Sequence, residues 1–177
     1  MLKSLILALA AFVAFSTVHA QNEAASQPPT DAQIAMIAVT ANSVDIDAAK
    51  MAKQKTTNEA VREFVDTMVR DHTAVNAKAT ALVKKLGVTP EESDTSRSLK
   101  SDGDKKMTEL KSLTGAEFDK AYIDNEVSYH ETVMNALDKT LIPNTKNAEL
   151  KSLLESARPI FVTHLDHAKK LQASLRK

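Results

Sequence analysis

Cysteine is absent from the 177-residue chain. That excludes a disulfide framework, a thiolate metal site, a thiol nucleophile and a lipidated N-terminal cysteine. The fold must be held by its core. Net charge is absent too, with 23 basic and 23 acidic side chains, so the basic surplus that recruits nucleic acid is missing. Glycine is scarce, and all three residues (Gly87, Gly103, Gly115) fall at the ends of apolar segments or in a polar stretch between them. No segment alternates apolar and polar side chains with period two, so no β-sheet is expected. A Ser-His-Asp arrangement, a glycine-rich phosphate loop and paired catalytic carboxylates are also missing, and nothing announces an enzyme.

The one unbroken apolar run, Leu5 to Phe15, is shorter than the roughly 20 residues that cross a bilayer. It follows Met-Leu-Lys and precedes Val18-His19-Ala20. Charged, apolar and small residues in that order are the pattern of a secretory signal peptide, cut after Ala20. The expected organisation is a signal peptide over 1–20, a polar tether over 21–29 ending in Pro28-Pro29, and one domain over 30–177. Cleavage removes Lys3 alone among the charges, leaving 22 basic against 23 acidic residues and no transmembrane segment. Export to a bacterial periplasm, to the outer membrane or to the exterior is the expected address.

What the mature sequence has in abundance is helical periodicity. Thr30 with Gln33 forms a capping-box pattern, and Ile34, Ile37, Ala41, Val44 and Ala48 recur at helical spacing to about Lys55. Thr56 with Glu59 repeats the pattern and opens a second helix, with Val61, Phe64, Val65, Met68, Val75 and Leu82 on its stripe, closed by Gly87 and Pro90. From Val88 to Leu113 the pattern weakens into a polar stretch and a short amphipathic piece carrying Met107, Leu110 and Leu113. Thr114 with Glu117 caps the third helix, which Pro143 ends. The fourth begins near Asn144 and runs to the C-terminus, with a kink expected at Pro159. Two short links and one long one give an all-α, ferritin-like four-helix bundle with a long crossover between the second and third helices.

A turn of about 100° per residue places five polar groups on these apolar stripes. Asp45 lies on the first helix between Ala41 and Ala48, and His72 is central on the second. Glu126 and, four residues on, His130 lie on the third, and His164 lies on the fourth; His167 falls just off that face. Asp45, His72, His130 and His164 sit near the midpoints of their helices, and midpoints stack in one layer of an antiparallel bundle. Four helices thus send imidazole or carboxylate groups toward one point, the way bundle cores build metal sites, and the donor set suits zinc, iron, manganese or copper. Such groups can also satisfy one another without a ligand, as histidine–carboxylate or histidine–tyrosine pairs. Asp71 points away from His72, toward the surface or a supporting role. The methionines read as core filling.

The string from Val61 to His72 (VREFVDTMVRDH), the stretch Gly115-Ala-Glu-Phe-Asp-Lys-Ala-Tyr122 with His130 eight residues on, and Pro159-Ile-Phe-Val-Thr-His164-Leu165 resemble the domain-of-unknown-function 4142 family. The resemblance implies an exported bacterial protein with a ferritin-like bundle, of a kind often labelled outer-membrane proteins, and implies no activity. Ferritin-like di-iron enzymes carry Glu-x-x-His on two helices. Here Val69 and Phe161 stand three before His72 and His164, and Glu126 stands four before His130. That departure speaks against an oxidising di-iron centre and leaves a His-rich mononuclear site open. The expected function is a non-catalytic envelope module that binds a metal ion or small ligand in its core, in metal handling or envelope stress. The alternative is a structural or protein-interaction domain with no ligand.

Overall fold

The computed structural model describes residues 27–176, so the expected signal peptide and residues 21–26 of the tether lie outside the described residues. Within that span the chain forms α1 (Asp31–Lys55), α2 (Glu59–Leu86), α3 (Asp94–Ser112), α4 (Gly115–Ala136), a π-helical turn (Leu137–Leu141), the single turn α5 (Ile142–Asn144) and α6 (Ala148–Ser174). No strand occurs among the described residues, and none of their helices is long and apolar enough to cross a membrane. The architecture is an all-α bundle.

Local chemistry explains where each helix starts. The Thr30–Gln33 capping box forms as expected, with Thr30 Oγ1 accepting from Gln33 N at 3.3 Å and Gln33 Oε1 from Thr30 N at 3.1 Å. Two other expected capping boxes do not form. Thr56 ends α1 instead of starting α2, which Asn58 caps by accepting from Val61 N at 3.2 Å. Thr114 precedes α4 without any side-chain cap. Asn147 caps α6, so that helix begins at Ala148, later than Asn144. It continues unbroken past Pro159, which lies on its exposed side.

The crossover is more regular than its composition suggests. A Ser93–Ser96 capping box opens α3, and ion pairs one turn apart (Asp94–Arg97, Lys100–Asp104, Asp102–Lys105, Lys106–Glu109) line its exposed side. Leu110 is fully buried, and Leu99 and Met107 pack against the core. Gly103 sits mid-helix because α1 comes too close for any side chain: a Cβ there would meet Val44 Cγ1 at 2.7 Å.

Hydrogen bonds at the two ends fix the directions. At one end Asp31 accepts from Lys146 N and Asn147 N at 2.9 and 2.8 Å, joining the starts of α1 and α6. At the other, Lys55 Nζ donates to the Leu110 and Lys111 carbonyls at 3.0 and 2.7 Å and stands 5.0 Å over the Phe118 ring. So α3 runs the length of α1 and returns the chain to the end where α2 began. Helices α2 and α4 are parallel and diagonal, each packed antiparallel against α1 and α6. That is the ferritin-like connectivity with one crossover.

The exit from α4 widens into a π-turn, in which Ile142 N–H donates to the Leu137 carbonyl. Pro143, which can donate nothing, follows at once. Leu137 and Leu141, four residues apart at the two ends of this turn, are both buried. The apolar core falls into two clusters: one toward the α3–α4 junction, where Phe64, Phe118 and Tyr122 pack together, and one at the opposite end around Ile34, Leu137 and Phe161. Between them lies a layer of buried polar side chains.

The close approach at Gly103 is testable. Alanine normally favours a helix interior over glycine by about 1 kcal/mol. Here Gly103→Ala is expected to lower the urea midpoint, because Val44 is branched at Cβ and has little freedom to turn aside. Adding Val44→Ala should recover the midpoint. A single variant more stable than the parent would contradict the packing described.

Candidate metal centre

Helix midpoints deliver the polar layer. Asp45, His72, Glu126, His130 and His164 are at most 3% exposed, and all five residues expected from the sequence are in it. The rings of His72, His130 and His164 form a nearly equilateral triangle, with centroids 5.6, 5.1 and 5.6 Å apart. One ligating atom from each of the three lies within 4.8 Å of the others, and the same holds for Asp45, Glu126 and His130. Two overlapping sets therefore share His130. Donors around one ion at roughly 2.1 Å are at most roughly 4.2 Å apart, so an ion asks for only a small inward turn of the rings.

The second nitrogen of each ring fixes its tautomer. Asn42 uses its amide N–H₂ to donate to the Ala38 carbonyl at 2.8 Å, so its Oδ1 faces His72 Nδ1 at 2.9 Å as an acceptor. His72 must then carry its proton on Nδ1. His130 Nδ1 donates to the Glu126 carbonyl at 3.0 Å. His164 Nε2 lies 3.0 Å from Asp71 Oδ2, a carboxylate gripped in turn by Arg70 at 2.7 and 3.1 Å. In all three rings the remaining nitrogen (His72 Nε2, His130 Nε2, His164 Nδ1) is buried with no hydrogen-bond partner. Both oxygens of Asp45 and Oε2 of Glu126 share that state. Buried orphaned lone pairs are uncommon because each forfeits its hydration; here six lie in one layer, with Asp45 Oδ2 beside His72 Nε2 and His130 Nε2 and Glu126 Oε2 3.6 Å from His130 Nδ1.

Charge in the layer follows from burial. Desolvation lowers His72 to about 2, with the neighbouring imidazoles adding to it, and lowers His130 to about 4. Burial also lowers His164, against the pull of Asp71. All three rings are therefore neutral at pH 7. Burial raises Asp45 from 3.8 to about 7, and burial together with the charge of Asp45 raises Glu126 well above the carboxylate range. The 3.2 Å approach of Asp45 Oδ2 to His72 Nε2 is accordingly not an ion pair. It becomes a hydrogen bond only when Asp45 is protonated and donates. His130 Nε2 lies farther from the same oxygen, at 3.7 Å.

Neighbours hold the rings in place. Phe161 stacks on His72 at 5.0 Å and 6°, occupying the position where a Glu-x-x-His motif would put a carboxylate. Tyr129 Oη donates to the Ala41 carbonyl at 2.8 Å, tying α4 to α1. His167 lies outside the layer, edge-on to Phe64. Asn42 was not among the residues expected at the site, and Asp71 takes the supporting role that was one of its two expected readings, at His164. Asn42 stands one turn before Asp45, a spacing that puts it on the same stripe. Asp71 points away from its own neighbour His72, and only the packing of α2 on α6 brings it to His164.

A family model described as a domain of unknown function (DUF4142) matches residues 15–171. No curated protein and no solved structure matches the chain.

Asp45 gives the layer a pH signature. Its pKa is raised on folding, so its contribution to stability is full below 3.8 and is lost as pH rises through about 7. An asparagine amide at this position would imitate the protonated acid, donating to His72 Nε2. With chelator present, Asp45→Asn is expected to be the more stable protein at pH 8, by a few kcal/mol, with the gap closing toward pH 4 in urea titrations. A pH-independent gap would contradict the assignment.

Proposed function

The chain belongs to the DUF4142 family, whose description names no activity, and from the polar layer we propose that it is an exported, non-catalytic module that binds one transition-metal ion in its bundle core. One observation carries the reading: three imidazoles from three helices each have one nitrogen fixed by an acceptor and the other bare and turned inward. Fixing the far nitrogen is how proteins orient a ligating histidine and raise its basicity. The rings are already neutral, as ligation requires. His72, His130 and His164 hold the ion, Asp45 supplies the carboxylate beside it, and Glu126 extends the acceptor set on the α4 side. This donor set suits zinc, iron, manganese or copper. The N-terminal pattern of charge, apolar run and small residues supports export, and metal handling or envelope stress is the process that a carrier of this kind would serve.

A ligand-free structural or interaction domain is the alternative, favoured by the protonated Asp45–His72 contact. That pairing satisfies His72 and leaves His130 Nε2 and His164 Nδ1 bare.

Elemental analysis of the purified mature domain separates the two. The expected result is one metal per chain, lost in His72→Ala and His164→Ala. Asn42→Ala and Asp71→Asn, which leave every ligand in place, should weaken binding about 10–100-fold. Sub-stoichiometric metal indifferent to all four substitutions would favour the ligand-free domain.

A further inference from the structure

A cavity of about 130 Å³ runs inward to the polar layer. Its mouth lies between α3 and α4, beside the exposed Thr95 and Thr132 and the half-buried Leu99. Ile37, Val75, Leu137 and Phe161 are among its walls, and Asp45, His72 and His130 close its inner end. Its shape follows from two features already described. Gly103 lets the middle of α3 approach α1, and Leu137 and Leu141 of the π-turn line the same cavity. A wall of aliphatic side chains gives water little to bond, and a comparably sized apolar cavity, about 150 Å³, takes up benzene. The inner end is different: it presents bare nitrogens and a carboxylate whose oxygens have no partner.

We propose that this cavity is a binding site for a small neutral molecule of about benzene size, apolar in its body and carrying one donor atom that reaches the metal beside Asp45. The inference rests on the metal-binding reading for the role of the donor end, and on the cavity alone for the apolar body. Four-coordinate sites of this donor type can accept a fifth ligand, and the cavity approaches the layer from the His72 and His130 side, leaving His164 on its far side. Hydrophilic or charged molecules are excluded, because the walls offer nothing to replace their water. Bulky ones exceed the volume.

Pyridine and benzene test both halves, having similar bodies with and without a donor atom. On the metal-free chain, both are expected to produce saturable methyl NMR shifts at Ile37, Val75 and Leu137. On the cobalt-loaded chain, pyridine should change the visible d–d bands and benzene should not. Ala136→Leu and Ala38→Leu, which add bulk to the lining from α4 and α1 without touching a ligand, should abolish the methyl shifts and the pyridine response while keeping cobalt stoichiometry. Two results would overturn the proposal: no saturable shift with either probe, or a pyridine response that survives both cavity-filling variants. If cobalt fails to bind, the metal reading falls by itself, and the methyl shifts still decide whether the cavity is a site.

Discussion

Desolvation of lone pairs at the middle of the bundle is the constraint on which the rest of the structure turns. Burial between the four helices takes Asp45, Glu126 and the three imidazoles out of bulk water. A neutral buried polar group without a partner costs roughly 1–3 kcal/mol, and a bare charge far more. The chain lowers that cost first by neutralisation: the imidazoles give up the protonated form, and Asp45 and Glu126 hold their protons to unusually high pH. It then ties one nitrogen of each ring to Asn42, the Glu126 carbonyl or Asp71. The inward atoms remain without partners after both adjustments. The cation proposed above would meet these atoms and reverse the proton-holding of Asp45.

The surrounding fold positions this layer. Two apolar clusters, one at each end, grip the four helices and leave the middle to the polar groups. The crossover helix contributes little apolar surface, yet it carries the chain back to the end where α2 began, making α2 and α4 parallel diagonals. Each of the three histidines therefore arrives on a different helix, with Asp45 on the remaining one. Asp71 shows the same dependence on packing, since it serves α6 from α2.

Much of this was legible in the sequence because helical period and midpoint position are both one-dimensional. Asp45, His72, His130 and His164 could be placed in one layer from their stripes and their distances to the helix ends, and Glu126 from its place on the stripe beside Tyr122, Tyr129 and Val133. Asn42 could have been found in the same way, one turn before Asp45. Asp71 could be offered a supporting role but not its partner, because His164 lies on another helix and the face that carries Asp71 points outward. The helical start of α3 escaped because its residues are polar all round; ion pairs at one-turn spacing and the burial of Leu110 stabilise it, and neither leaves an apolar stripe. The capping boxes at Thr56 and Thr114 failed because a capping pattern is only local: Asn58 lies closer to the first turn of α2, and Thr114 makes no side-chain cap in the extended entry to α4.

The central claim is that three neutral imidazoles point bare nitrogens at one place. Long-range ¹H–¹⁵N NMR of the histidine rings at pH 7 reads it directly, first without metal and then with one equivalent of zinc. The account predicts neutral rings protonated on Nδ1 in His72 and His130 and on Nε2 in His164, with zinc moving the shifts of the three opposite nitrogens together. A protonated imidazolium, an opposite tautomer at any of the three, or ring nitrogens unmoved by zinc would contradict it.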